Sequence, residues 1–470
     1  MDLIAELSAI LGPSHVLTGT DAAPYGTDWM GQYPTRPLAV LRPGSTEEVS
    51  RCLSFTHAHG IAVVPIGGNT GLTGATTAEG QVMLSLERLN RIRELRSDTR
   101  IAIAEAGVVL SRLHEAADAE GLVFPLFFGA RGSAMLGGNL STNAGGSNVL
   151  RYGNTRALTL GLEVVLADGR VMNLMSELHK DNAGYDLKDL FIGAEGTLGI
   201  ITAAVLKLFP KPRAYATALV AMDSLAPART LLNRLQDASG GAVEAFEYMP
   251  DNYMERLARM KPELASPLAA DTKVSILVEI GATAPRDVLP GPDGTLPVTA
   301  MLTEILESAA AEGLIQDAVV ATSEAQRKKL WSMRETAAEL VAGGINKIDN
   351  DICLPLHLVE EFLDTARERL KALDPGATIF VVGHLGDGNL HYTVLPTFTD
   401  PDRIDEVREM VEEIVSSLRG SFSAEHGIGI SKLPSMARRK DRLALDVMRT
   451  IKTALDPKGL MNPGKVLPPE

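Results

Sequence analysis

The segment GHLGDGNLH, residues 383–391, sets His384 and His391 on either side of an Asp-Gly pair. Asp-Gly favours a two-residue hairpin turn. A turn at Asp387-Gly388 would pair Gly386 with Asn389, Leu385 with Leu390 and His384 with His391. Side chains directly opposed across a hairpin share one sheet face at about 5 Å, close enough for two imidazoles to hold one metal ion. Further on, SAEHGIG offers Glu425 as a third ligand and His426 as a base, among small residues that permit close approach. Two histidines and one carboxylate leave coordination positions open, as a catalytic ion needs. Zinc is the first expectation, with manganese or cobalt as alternatives. An efficient turn alone would account for Asp387 and Gly388 but not for both flanking histidines.

Two glycine-rich segments point to a different ligand: PIGGNTGLTG, starting at Pro65, and GARGSAMLGGNLSTNAGG, starting at Gly129. Clustered glycines let the backbone approach a ligand and turn successive N–H groups onto an anion. Asn69, Thr70, Ser133, Asn139, Thr142 and Asn143 add neutral donors, which suits a pyrophosphate held without a counter-charge. Neither segment is a P-loop, and neither is a G-x-G-x-x-G opening a helix, so a nicotinamide-dinucleotide site is poorly supported. Tight turns alone would not call for the interleaved Asn and Thr in both.

Alternating strands and helices must position these groups. Residues 37–43 read as a strand, Ser45 as an N-cap with Glu48 completing a capping box, and 61–65 as the next strand after a helix ending near Gly60. Strands are expected at 100–107, 163–166 and 200–209, with a helix at 110–120. Pro210-Lys211-Pro212 breaks the last strand and sets a domain boundary. Beyond it, strands are expected at 243–249 and 273–280, a Pro/Gly-rich loop at 281–296, helices at 301–312, 356–373 and 404–418, and a hairpin at 378–394. The expected architecture is α+β, with a first domain over residues 1–212, a second over 213–454 built on an antiparallel sheet, and a turn-rich tail at 455–470 returning to the first.

Bulk properties narrow the classes. A chain of 470 residues with 45% hydrophobic and 22% charged residues is globular and long enough for two cores. A formal charge of −14 discourages nucleic acid and anionic membranes as partners. No apolar run reaches the ~18 residues needed for a membrane span. The N-terminal MDLIAELSAILG carries acids where a signal peptide has bases and reads as an amphipathic helix. Only Cys52 and Cys353 occur, which suits a reducing compartment, and a cytoplasmic location is expected.

PIGGNTGLTG, GARGSAMLGGNLSTNAGG, RYGNTRALTLGLEVVLADGR and KDNAGYDLKDLFIGAEGTLGIIT occur in order over about residues 35–212. Together they resemble the two-subdomain PCMH-type FAD-binding domain of the vanillyl-alcohol-oxidase superfamily. The resemblance implies that the first glycine loop holds the pyrophosphate, the second leads toward the isoalloxazine, and GAEGTLGIIT closes over the adenine side. By carry-over, FAD contacts fall on Pro65, Gly67, Gly68, Asn69, Thr70, Gly71, Ser133, Gly138, Asn139, Thr142, Gly145, Glu195, Gly196 and Ile200. Members with covalent flavin usually place a histidine in or near these loops. None of the nine histidines here lies in either loop, so the flavin is expected to be dissociable.

HLGDGNLH, AEHGIG and the closing NPGKV resemble the C-terminal domain of flavin-linked 2-hydroxy-acid dehydrogenases, most closely the subset acting on D-2-hydroxyglutarate. That likeness implies metal ligands at His384, His391 and Glu425, with His426 as the catalytic base. It implies substrate contacts from Arg334, Lys347, Asn389, Thr393 and His426. Arginine's bidentate fork and lysine's point charge suit a diacid. Two positions depart from the pattern: Thr393 replaces a polar amide, and Ala338 stands where some members have threonine. The implied reaction oxidises D-2-hydroxyglutarate, and also D-malate, to the 2-oxo acid. Proton removal by His426 would accompany hydride transfer to flavin N5, with an electron-transfer flavoprotein or quinone-linked acceptor and a homodimeric assembly. D-Lactate dehydrogenase and the glycolate oxidase flavoprotein subunit are the alternatives within the family. A non-catalytic FAD-binding subunit is the alternative outside enzymes.

Overall fold

The computed structural model describes residues 2–341 and 346–469, which pack as two compact units. The first comprises Met1–Gly145, Gly153–Pro210 and Glu425–Glu470; the second comprises Gly146–Tyr152 and Lys211–Ala424. The strand-breaking prolines do mark a crossing point. The chain rejoins the first unit at Glu425, earlier than the turn-rich tail at 455 suggested. Composition marks where a chain turns, whereas contacts mark where it belongs.

In the first unit, Ala39–Leu41 and Val63–Ile66 both run parallel to Val82–Ser85, which lies between them. The helix Thr46–Ala58 connects the outer two. Ser45 caps it by accepting from the Glu48 amide at 3.2 Å. Glu48 reaches back to the Gly44 amide at 2.7 Å rather than to that of Ser45, so the expected capping box is shifted by one residue. A second, antiparallel sheet runs in the order Ile92–Arg96, Ile101–Glu105, Ile200–Lys207, Thr159–Val165 and Val171–Leu174. These sheets are the two expected subdomains. The helix Leu3–Leu11 is capped by Asp2 and buries Leu7 and Leu11. Near the other end of the chain, Val63 donates to Leu460 and accepts from Asn462 at 2.8 Å, tying the tail to the glycine-loop strand.

The second unit is built on a seven-stranded antiparallel sheet. Its order is Asp317–Val320, Ala214–Met222, Val274–Ala282, Val243–Pro250, Thr378–His384, Asn389–Leu395 and Ile348–Cys353. Alternation along each strand splits the residues between two faces. One face presents Val220, Ile276, Val278, Phe246, Tyr248, Val381, Leu390 and Tyr392 to a core completed by residues of the helices Ala228–Ser239, Pro297–Ala311, Val359–Leu373 and Pro401–Ser417. On the other face Leu219, Leu277, Met249 and Val382 pack with residues of Asp251–Met260 and Glu324–Glu335. The same face carries Glu279, Glu247, His384, His391 and Asp351, which the registers align across neighbouring strands. Several of these elements, including Ala214–Met222, Ile348–Cys353 and Glu324–Glu335, were not evident in the sequence pattern.

Candidate active site

The hairpin differs from the expected two-residue turn. Leu385–Asp387 form a 3-10 turn closed by Gly388 at φ +81°, and a Cβ at Gly388 would collide with the Leu354 carbonyl oxygen. The register is His384↔Asn389, Gly383↔Leu390 and Val382↔His391. His384 and His391 are therefore diagonal rather than directly opposed. A four-residue turn displaces the register by two positions, and an even displacement keeps both side chains on one face, where an odd one would have separated them. The imidazole centroids are 5.4 Å apart, and one ligand nitrogen of each lies within 4.8 Å of the other's.

What surrounds the pair bears on its chemistry. His384 Nδ1 lies 2.8 Å from Oε1 of Glu247, which is 1% exposed. A carboxylate on Nδ1 sets the tautomer and leaves Nε2 with its lone pair for a metal. His391 Nδ1 is 3.8 Å from Oδ1 of the buried Asp351, an additional oxygen donor beside the pair. Burial pushes the Glu247 carboxyl up, but the charges of His384 and Arg334 outweigh it and hold the group below its ordinary value. Burial pushes Asp387 up to about 6. This donor set fits a borderline divalent ion.

Arg334 descends from the helix Glu324–Glu335, with its Nε 2.9 Å from Glu247 Oε2. Its Nη2 is buried with no hydrogen-bond partner among the described residues, a free donor suited to an incoming carboxylate. Trp331, from the same segment, gives its indole N–H to Glu279 at 2.8 Å and is committed to structure. Lys347 pairs with Asp349 at 2.7 Å, and Asp349 accepts from the Thr393 hydroxyl at 2.8 Å, so its charge is partly answered within the protein. Asn389 donates to Asp351 at 3.0 Å and to the Ile352 carbonyl at 2.9 Å; its Oδ1 is buried and unpaired among the described residues. Neither Glu247 nor Asp351 was singled out from the sequence. For Glu247 the usable signal was a pair of glutamates, Glu244 and Glu247, inside the otherwise apolar strand VEAFEYMP.

Glu425 and His426 open the last stretch of the first unit. In that unit the two glycine-rich segments meet. A Cβ at Gly68 would strike the Ser133 carbonyl oxygen, and Gly67 sits against Met135 and Gly138. The second segment is laid along the end of the Ile101–Glu105 strand, with the Gly137 amide donating to Ala106 at 2.7 Å and that of Leu136 to Val108 at 2.9 Å. Gly196 packs on the Pro65 ring. Asn69 and Asn143 both take positive φ, at +53° and +51°. Asn69 donates to the Thr27 carbonyl, Thr142 to that of Gly138, and Ile200 starts a buried strand. Thr70, Gly71 and Gly145 complete the same loops. Asn139 is 4% exposed, and its Nδ2 lacks a partner among the described residues, an orphan donor that a bound flavin nucleotide would satisfy.

The Glu195 side chain faces the loop that follows Glu425 and His426. Its carboxylate accepts from the Ile428 and Gly429 amides at 2.6 and 2.8 Å, and its own amide donates to Ser141. Burial pushes its pKa up against those two amides. It therefore secures the loop that follows Glu425 and His426.

Residues 211–466 match the family model of the C-terminal domain of FAD-linked oxidases, and residues 37–175 match an FAD-binding domain. The chain belongs to the FAD-linked oxidase family. It is an FAD-dependent oxidoreductase. It is 36% identical to the mitochondrial D-2-hydroxyglutarate dehydrogenase of Bos taurus over 470 residues, covering 99% of this chain and 84% of that protein. Identity to the D-2-hydroxyglutarate dehydrogenase of Stutzerimonas stutzeri (strain A1501) is 35% over 475 residues, covering 99% and 98%. Among solved structures, p-cresol methylhydroxylase with substrate bound superposes with a TM-score of 0.75 at 15% identity, covering 98% of this chain and 95% of that one. 4-Ethylphenol oxidase from Gulosibacter chungangensis gives 0.72 at 19%, covering 99% and 97%. At such identities the structural likeness speaks for the FAD-linked oxidase fold alone.

Proposed function

We propose that this FAD-linked oxidoreductase oxidises a D-2-hydroxy acid to the 2-oxo acid, with D-2-hydroxyglutarate as the preferred substrate. The reading is carried by near-full-length similarity to D-2-hydroxyglutarate dehydrogenases, joined to a site face where paired imidazoles stand beside an arginine whose buried Nη2 has no partner among the described residues. Arg334 takes one substrate carboxylate through Nη2, and Lys347 attracts the other. Thr393 and Asn389 line the same sheet face. His384 and His391 would hold a divalent ion, zinc first and manganese or cobalt next, with Glu425 assigned as third ligand on residue type and its setting among small residues. When bound, FAD would supply a hydride acceptor and a divalent ion would supply a Lewis acid. His426 takes the proton from the C2 hydroxyl, a step of the kind worth roughly 10²–10⁴-fold in rate.

FAD is assigned to Pro65, Gly67, Gly68, Asn69, Thr70, Gly71, Ser133, Gly138, Asn139, Thr142, Gly145, Glu195, Gly196 and Ile200, the Glu195 carboxylate also holding the neighbouring loop. The flavin is non-covalent. Electrons pass to an electron-transfer flavoprotein or a quinone-linked carrier. Among the described residues no helix is long and apolar enough to cross a membrane, and we assign the protein to the cytoplasm as a homodimer.

One observation keeps a monoacid in the comparison. The Asp349 carboxylate beside Lys347 weakens the pull on a second substrate carboxylate, which favours D-lactate. The deciding experiment assays D-2-hydroxyglutarate, D-malate and D-lactate with an artificial acceptor, with and without chelator. Highest kcat/KM on D-2-hydroxyglutarate, lost on chelation, is the expected result. A preference for D-lactate would reassign the substrate, and turnover indifferent to chelation would remove the ion.

A further inference from the structure

The geometry points to Glu247 as a positioning residue that couples the metal-binding histidine to the substrate-binding arginine, one buried carboxylate ordering both. This rests on the function proposed above. Glu247 sits within the strand Val243–Pro250, every residue of which is buried. Its Oε1 meets His384 Nδ1 at 2.8 Å, and its Oε2 meets Arg334 Nε at 2.9 Å. His384 is 137 residues away in sequence, so neither contact is a by-product of local chain geometry.

Each half of the carboxylate has its own effect. Accepting from Nδ1 holds the imidazole plane, keeps the proton on that nitrogen and makes Nε2 a better donor to an ion. The ion pair at Nε, which holds by charge rather than as an aligned hydrogen bond, keeps the arginine on the sheet face, and among the described residues Nη2 has no partner. Glu279, on the same face, takes two bonds from Arg327, one from Trp331 and one from Thr217. The Glu247 pair lacks that saturation. An ion drawing electron density from His384 strengthens the hydrogen bond to Glu247 and alters how firmly Glu247 holds Arg334. Ion binding and substrate binding are then linked, and by reciprocity each changes the affinity of the other.

The test uses the full-length FAD-loaded protein stripped of metal. Zinc affinity is measured by competition with a chromophoric chelator, KM and kcat for D-2-hydroxyglutarate are measured with saturating zinc, and melting temperature is followed throughout. Glu247→Gln, which keeps the shape and removes the charge, should weaken zinc binding by about 10–100-fold and raise KM by a comparable factor. Glu247→Asp keeps the charge but is too short to reach both partners, and should fall between the two. Should Glu247→Gln not fold, Glu247→Asp carries the test. Glu279→Gln should lower the melting temperature while leaving zinc affinity and KM within about twofold. A folded Glu247 variant with wild-type zinc affinity and KM, or one changed only in melting temperature, overturns the coupling. Wild-type protein that takes up no zinc overturns the metal reading as well, whereas zinc uptake equal in wild type and both Glu247 variants removes only the role of Glu247.

Discussion

Two arginines, Arg327 and Arg334, leave one helix two turns apart and meet two buried glutamates on one sheet face, yet the pairs differ in what they leave over. Glu279 takes four bonds: Arg327 binds it through Nε and Nη2 at 2.7 Å each, and Trp331 and Thr217 both donate to Oε2. Glu247 divides itself between Arg334 and His384, and among the described residues Arg334 keeps its buried Nη2 unmatched. A saturated buried ion pair braces a fold. An unsaturated one beside paired imidazoles is placed to receive a ligand, because an unmatched buried donor costs about 1–3 kcal/mol until something fills it.

The strongest way to break this contrast is at the histidines. His384→Ala should lower kcat/KM by on the order of 10³-fold, since ion-based charge stabilisation is worth several kcal/mol. Metal content by atomic emission should fall with it while the flavin absorbance stays; a retained ion with retained activity would sink the assignment. His426→Ala should cost about 10²–10⁴-fold in kcat with metal content intact. Next come the arginines. Arg334→Ala should raise KM by about 10–100-fold through loss of a charged hydrogen bond worth roughly 1.5–3 kcal/mol. Arg327→Ala should leave KM near wild type and reduce stability by about 3 kcal/mol, as breaking a buried pair does. Equal KM effects from the two would erase the distinction.

The smallest effect concerns Glu244, buried on the same strand as Glu247 and held by Asn148, Arg151 and Tyr152. Burial raises its pKa above the ordinary 4.5 despite those donors, whereas Glu247 is lowered. A carboxyl with a raised folded-state pKa contributes stability below its unfolded value and loses it as pH rises through the folded value. Wild-type melting temperature should therefore decline relative to Glu244→Gln as pH climbs from about 4.5. A gap that stays constant across that range would count against the raised pKa.

Much of the site was legible before any coordinates. Histidines around Asp-Gly, Glu-His among glycines, and glycine runs laced with Asn and Thr each carry a chemical meaning in their residue types. The inferred turn was wrong in length, because Asp-Gly signals a tight bend but not how many residues the bend spans; Leu385–Asp387 fold into it as well. The shared histidine face survived because the resulting shift was even. The bonds that the Glu195 carboxylate makes were not legible, since its amide partners Ile428 and Gly429 lie more than two hundred residues on. The helix carrying both arginines escaped notice because its buried residues, Leu330, Met333 and Arg334, make too sparse a stripe to read as periodic.

By itself, the sequence determined which atoms are available: imidazoles, carboxylates, cations and a backbone free enough at its glycines to wrap a nucleotide. Only the tertiary structure decided which buried carboxylate each cation meets. That depends on strands far apart in the chain lying side by side, so that Glu279 finds four donors and Glu247 finds a histidine and half an arginine. Such pairing follows from sheet register and burial, which short-range patterns do not encode.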